Sequence, residues 1–66
     1  MKAKAVIEKW DDGSFGAYAD DDVFGIMFYA VGKTQDEAKR SFVQLYEELC
    51  EEGDAVKGLD IQFANA

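Results

Sequence analysis

The chain has 66 residues, enough for one domain, and its 14 acidic and 7 basic side chains give a net charge of −7. The lysines are scattered, so the basic patch of a nucleic-acid-binding module is missing, and an acidic membrane surface would repel the chain. With one cysteine and no histidine, an internal disulfide is excluded and a structural zinc site nearly so.

The first third of the chain predicts a β-hairpin. Residues 2–10 alternate imperfectly between apolar and polar, which indicates a strand with one buried face. Asp11-Asp12-Gly13 is turn chemistry, since glycine adopts positive φ and aspartate tolerates turn geometry. Residues 15–19 predict the second strand, in which Gly16 suggests a bulge or a close backbone approach.

A loop and a third strand follow. Asp20-Asp21-Asp22 breaks the alternation, and residues 25–31 are predicted as a strand that is apolar on both faces. One face carries Ile26, Phe28 and Ala30, and the other carries Met27, Tyr29 and Val31.

The second half predicts one helix and a last strand. Thr34 and Glu37 have capping-box spacing, and Gly53 is the expected terminator, so the helix should span about residues 35–52. Residues 59–63 alternate as a half-buried strand. The buried helix face is predicted to consist of Ala38, Phe42, Leu45, Tyr46 and Leu49.

These elements predict an α+β fold of order βββαβ in a single domain, residues 1–66. Because strand–helix–strand crossovers are right-handed, the last strand should lie parallel to the first and beside it. The result is a four-stranded mixed sheet of order 3-2-1-4 with one helix on one face.

A single helix leaves the second sheet face without a cover. Large exposed apolar patches usually mark an interface, so we expect this face to mediate self-association, unless bends and chain ends hide it. The third strand is also a sheet edge that can add a strand from another chain. The residues predicted for self-association are Trp10, Tyr18, Met27, Tyr29 and Val31.

Two acidic segments are candidates for contact with a basic partner protein, although an acidic surface can also serve only solubility. Consecutive aspartates rarely aim at one ion, so we expect a solvated loop at residues 20–22 and no metal or other cofactor. The predicted partner-binding residues are Asp20, Asp21, Asp22, Glu47, Glu48 and Glu51, with Glu52 beside them.

No catalytic constellation is visible. Cys50 has no histidine to act as a base, so a packed thiol is the better interpretation, and the glycines form no phosphate-binding motif. We therefore predict a non-enzymatic domain. So small a domain usually needs support, here either self-association into a homo-oligomer or membership of a longer protein. The first residues lack a signal core and no run could span a bilayer, so cytoplasmic residence is the default expectation.

The motifs together resemble the HicB-type antitoxin family. Its strand–turn–strand signature is matched by Ile7, Glu8, Asp12, Gly13, Phe15, Gly16 and Tyr18. The family's helix-opening segment is matched by Gly32, Thr34, Glu37 and Ala38, and the likeness covers roughly residues 5–50.

This resemblance implies a partial ribonuclease-H-like fold without the catalytic acids of the nuclease. It also implies an antitoxin domain that masks a small, basic, RNA-cleaving toxin and often self-associates. The chain departs from the family in its acidic loop at residues 20–24 and in having no DNA-binding region after residue 66, as in a truncated chain or a short relative. The alternatives are a structural dimerisation domain of a larger transcriptional regulator and a diverged metal-dependent nuclease.

Overall fold

The protein is described by a computed structural model that includes all residues from 1 to 66. Its elements are β1 (Lys2–Lys9), β2 (Phe15–Ala19), β3 (Tyr29–Gly32), α1 (Gln35–Glu51) and β4 (Asp60–Asn65). The sheet order is β3-β2-β1-β4, with β1/β2 and β2/β3 antiparallel and β1/β4 parallel. The predicted α+β fold and strand order are confirmed.

The β1–β2 turn is fixed by one carboxylate. Asp12 Oδ1 accepts hydrogen bonds from the Ser14 backbone N–H at 2.9 Å and from Ser14 Oγ at 2.6 Å, while Gly13 has a φ of +89°. These two hydrogen bonds hold the pKa of Asp12 below its ordinary value, and the one from the Ser14 hydroxyl has the larger effect. Glycine at this position avoids the strain that a Cβ would cause at positive φ.

The predicted third strand is wrong in its first half. A short 3-10 helix, Asp22–Phe24, precedes Gly25 at φ +81°, and β3 begins only at Tyr29. The alternation from residue 25 therefore does not describe one extended strand, and Ile26, predicted on the buried face, is 38% exposed. The 3-10 helix is capped by Asp21, whose carboxylate accepts from the Val23 N–H.

Both ends of α1 follow the predicted chemistry. Thr34 Oγ1 accepts from the Glu37 N–H at 3.1 Å, as in a capping box, whereas Glu37 Oε2 accepts at 2.8 Å from the N–H of Lys33, the residue before the N-cap, and not from that of Thr34. At the other end Gly53 has a φ of +81°, and a Schellman pair forms from the Gly53 N–H to Cys50 O and from the Asp54 N–H to Leu49 O. The helix ends at Glu51, one residue earlier than predicted.

The core lies between α1 and one face of the sheet. Small side chains line the central strands on this face, and aromatic rings from the helix and the connections fill the space above them. Phe24 and Phe42 are its largest fully buried side chains. Of the predicted helix face, Ala38, Phe42 and Tyr46 are buried, whereas Leu45 and Leu49 are only half-buried.

Phe24 is the centre of the aromatic cluster. Its ring meets Phe28, Phe42 and Tyr46 edge-on at centroid distances of 5.5, 5.8 and 5.8 Å. Phe28 and Phe42 stack at 4.5 Å, and Phe42 meets Phe63 of β4 at 5.6 Å. Aromatic pairs in these geometries contribute about 0.5–1.5 kcal/mol beyond the area they bury.

Candidate interaction surfaces

The two acidic segments are linked through the core near the C-terminal end of α1. β2 ends at Ala19, Asp20 follows it, and the chain then enters the 3-10 helix, whose Phe24 packs against Tyr46 in the last third of α1. The Val56 N–H donates to Phe24 O at 3.0 Å and joins this turn to the segment after the helix. We call this region the acidic end; it comprises Asp20, Asp21, Asp22, Glu47, Glu48, Glu51, Glu52 and Asp54.

The acidic loop is held by the chain itself. Besides capping the 3-10 helix, the Asp21 carboxylate accepts from the Lys4 N–H at 3.4 Å. Asp20 forms the single ion pair of the structure, with Lys4 Nζ at 3.7 Å, and both side chains are about half exposed. A pair this exposed contributes about 0–1 kcal/mol. Asp22 is exposed and its carboxylate makes no hydrogen bond within the chain.

The glutamates of the acidic end point into solvent. Glu47, Glu48 and Glu51 are exposed on the last turns of α1, and none forms an ion pair. Helix carbonyls give this terminus a partial negative charge, and no basic residue lies in the last turn. The negative potentials of side chains and helix end therefore add, which favours contact with a positively charged surface. No group of three or more histidine, cysteine or acidic side chains is arranged to hold a metal ion.

The sheet face opposite α1 carries Tyr18, Tyr29 and Val31 from the set predicted for self-association. Tyr18 pairs with Tyr29, and Gly16 with Val31, across β2 and β3. Tyr29 is 65% exposed, Val31 is 44% exposed and Met27, just before β3, is 69% exposed, while Tyr18 is half-buried. We call Trp10, Tyr18, Met27, Tyr29 and Val31 the aromatic patch.

Trp10 partly covers this face from within the chain. Its indole lies over Gly16, where Cζ2 is 2.7 Å from the position of a Cβ on that residue, and its Nε1–H donates to Glu8 Oε1 at 2.9 Å. The pairing of β1 with β2 is continuous at Gly16, so this glycine does not form a bulge. The other interpretation, a close approach to its backbone, is correct, and the approaching group is the Trp10 side chain. Trp10 therefore belongs to the aromatic patch and also covers part of the same sheet face.

The other half of the open face is polar. Lys2 pairs with Asp60 and Lys4 with Gln62 across β1 and β4, and Val6 is buried between its neighbours on this face. On the open face, exposed apolar side chains are therefore confined to the β2–β3 side, next to the free sheet edge. Sequence reasoning placed Tyr18, Tyr29 and Val31 on the open face, whereas Met27 lies before β3, and it could not assign this asymmetry, which depends on the register of four strands.

Tyr46 connects the end of α1 to the last connection. Its hydroxyl donates to Val56 O at 2.6 Å and accepts from the Leu59 N–H at 3.1 Å. Burial raises the pKa of Tyr46 above its ordinary value. Cys50 lies half-buried beside it, with Sγ 3.8 Å from Val56 O, as expected of a packed thiol. This role of Tyr46 could not be found from periodicity, which shows only that the residue faces the core.

Comparison with known proteins gives no relative: no family model matches the chain, and neither a curated protein nor a solved structure is significantly similar to it. No helix in the structure is both long and apolar enough to cross a bilayer.

Proposed function

We propose that this chain is a non-enzymatic protein-interaction domain of the HicB antitoxin type, which binds and masks a small, basic, RNA-cleaving toxin in the cytoplasm. The observation that carries the proposal is the acidic end. Two segments separated by more than twenty residues contribute carboxylates there, and only Asp20 has a cationic partner within the chain.

Charge at this end would act mainly on the encounter with the partner. Rim carboxylates raise the association rate of a basic protein and disfavour acidic competitors, while well-packed contacts set the lifetime of the complex. The resemblance to the HicB family supplies the class of partner, and the net charge of −7 agrees with a basic one.

The test uses the product of the reading frame that neighbours the gene for this chain. We expect that product to be small and basic, to cleave RNA when alone, and to lose this activity when the chain is added. Neither cleavage by the chain itself nor a neighbour that fails to bind is compatible with the proposal.

A charge-matched pair of variants locates the contact. Glu47→Gln/Glu51→Gln neutralises two exposed carboxylates of the acidic end, whereas Asp11→Asn/Asp36→Asn neutralises two exposed carboxylates elsewhere on the surface. Both variants change the net charge equally. We expect the first to slow association several-fold in stopped-flow binding at low salt and the second to have little effect. Equal slowing by both would show that total charge matters and the acidic end does not.

A further inference from the structure

The outer edge of β3 is unpaired. The Ala19 N–H donates to Phe28 O, which fixes the alternation of the antiparallel ladder between β2 and β3. Residues 28, 30 and 32 therefore direct their backbone groups to β2, and Tyr29 and Val31 direct theirs away from the sheet. None of the hydrogen bonds to turns, caps or side chains involves these outward groups.

The edge formed by β3 is short, at four residues, but it lacks the charged residues, prolines and bulges that commonly protect against strand addition. Natural edge strands are protected by short length, lysine, proline, bulges or inward-pointing charges, and of these only short length applies to β3. Residues 23–32 contain no charged residue and no proline, and the pairing of β3 with β2 contains no bulge. The side chains that flank the outward backbone groups on the open face, those of Tyr29 and Val31, are largely exposed.

We propose that β3 pairs antiparallel with β3 of a second copy of this chain, with Tyr29 opposite Val31 of the other copy in both directions. The two-fold axis then passes between the two Ala30 residues, and the two sheets join into one of eight strands. Each Tyr29–Val31 pair exchanges two backbone hydrogen bonds, so the short strands form four. This inference does not depend on which partner binds the acidic end.

The register follows from the residues that point outward. Only the odd-numbered residues of β3 can form backbone hydrogen bonds across the new interface. A shift of one residue would place them opposite residues whose N–H and C=O groups already bond to β2. A register centred on Tyr29 or on Val31 would form only one complete pair within β3. The proposed register instead places an aromatic beside a β-branched side chain twice on the open face, a favourable cross-strand combination. Ala30 at the axis is small enough for close approach.

The charge distribution also favours a second copy. β3 starts near the acidic end and finishes beside Lys33, so antiparallel pairing sends the two acidic ends in opposite directions. Repulsion between two chains of net charge −7 is then weakest, since the interface itself is uncharged and the separated charges are screened within about 8–10 Å. β3 is self-complementary in this register, and pairing with a strand from a different protein would not require that property.

The test compares two double variants by sedimentation equilibrium at rising protein concentration. Tyr29→Lys/Val31→Lys sets like charges opposite each other, whereas Tyr29→Lys/Val31→Glu sets opposite charges together in the proposed register. We expect the wild-type chain and the Lys/Glu variant to form dimers and the Lys/Lys variant to remain monomeric. A wild-type chain that stays monomeric, or a dimer that persists in the Lys/Lys variant, overturns the proposal. A monomeric Lys/Glu variant overturns the register, because like charges would face each other in that variant only if each substituted position lay opposite the same position of the other copy.

Amide hydrogen exchange in the unmodified chain provides a second readout that does not depend on how the variants fold. The N–H groups of Tyr29 and Val31 should become protected as concentration rises, while the exposed turn amide of Gly13 should not change. Fast exchange at Tyr29 and Val31 at every concentration would contradict strand pairing at this edge.

Discussion

The indole of Trp10 rests directly on the backbone of Gly16, which lies on the neighbouring strand. A Cβ on residue 16 would lie 2.7 Å from Cζ2 of the indole, so the ring occupies the space that any residue other than glycine would need there. The ring is held by the hydrogen bond from its Nε1–H to Glu8. The hairpin therefore covers part of its own open face.

Gly16→Ala should displace this indole. The ring is the mobile end of a side chain, so we expect it to shift, break the bond to Glu8 and cost about 1 kcal/mol of unfolding free energy. Trp10 is the only tryptophan, and its fluorescence should move to the red. In a Trp10→Ala background the same substitution should be neutral or stabilising, because a strand glycine is itself unfavourable. An equal cost in both backgrounds would show that the ring does not occupy this space.

Gly32→Ala should be more destabilising than Gly16→Ala. A Cβ at Gly32 would clash with the Ala38 backbone N and would lie 2.7 Å from the Glu37 carbonyl carbon. Backbone at the start of α1 cannot rotate away as a side chain can, so we expect a loss of about 1–3 kcal/mol. Urea unfolding of the two alanine variants side by side measures the difference. A smaller cost at Gly32 would contradict the tight β3–α1 junction.

Phe24→Ala should nearly unfold the domain although Phe24 lies outside every strand and α-helix. The residue is fully buried and contacts three other rings, so its truncation should cost about 3–5 kcal/mol. Ile26→Ala, two residues later and exposed, serves as the control and should cost under about 1 kcal/mol. Thermal unfolding followed by circular dichroism compares them. Similar costs for both variants would argue against a central role for Phe24.

Stability should fall above about pH 10 through Tyr46, whose ordinary pKa has that value. Burial raises the folded-state pKa of this phenol, so the folded state keeps its proton while the unfolded state loses it. The stabilising contribution is therefore complete below pH about 10 and is lost as pH rises through the folded-state pKa. Tyr46→Phe removes this dependence, and it also costs about 1–3 kcal/mol at neutral pH because Val56 O and the Leu59 N–H lose their partner. Identical pH profiles for both proteins between pH 9 and 11, measured by urea unfolding, would contradict this assignment.

The topology could be predicted because it rests on local signals. Alternation marks β1, β2 and β4, the Thr34–Glu37 pair marks the start of α1, and Gly53 marks its end. The handedness of the crossover then fixes the place of β4. Each of these signals is contained within a few neighbouring residues.

The remaining features depend on contacts that no local pattern encodes. Phe24 is the lone aromatic of a three-residue turn, so periodicity gives it no face. The apolar alternation of residues 25–28 continues that of β3, although a glycine at positive φ has already turned the chain. Several residues that resemble the HicB signature also have structural roles: Asp12 and Gly13 build a turn, and Thr34 and Glu37 cap a helix. These residues fit the fold well and say little about the partner.

The burial of Phe24 has a consequence for anything that docks on the acidic end. Because this ring is buried in the core, and Asp21 caps the turn that carries it, contacts within the chain hold the loop in the conformation described. A docking protein would lose little affinity to the conformational entropy of ordering that loop. Binding at this end would then need little rearrangement of the loop, and the loop backbone should superimpose in the free protein and in its complex with a partner.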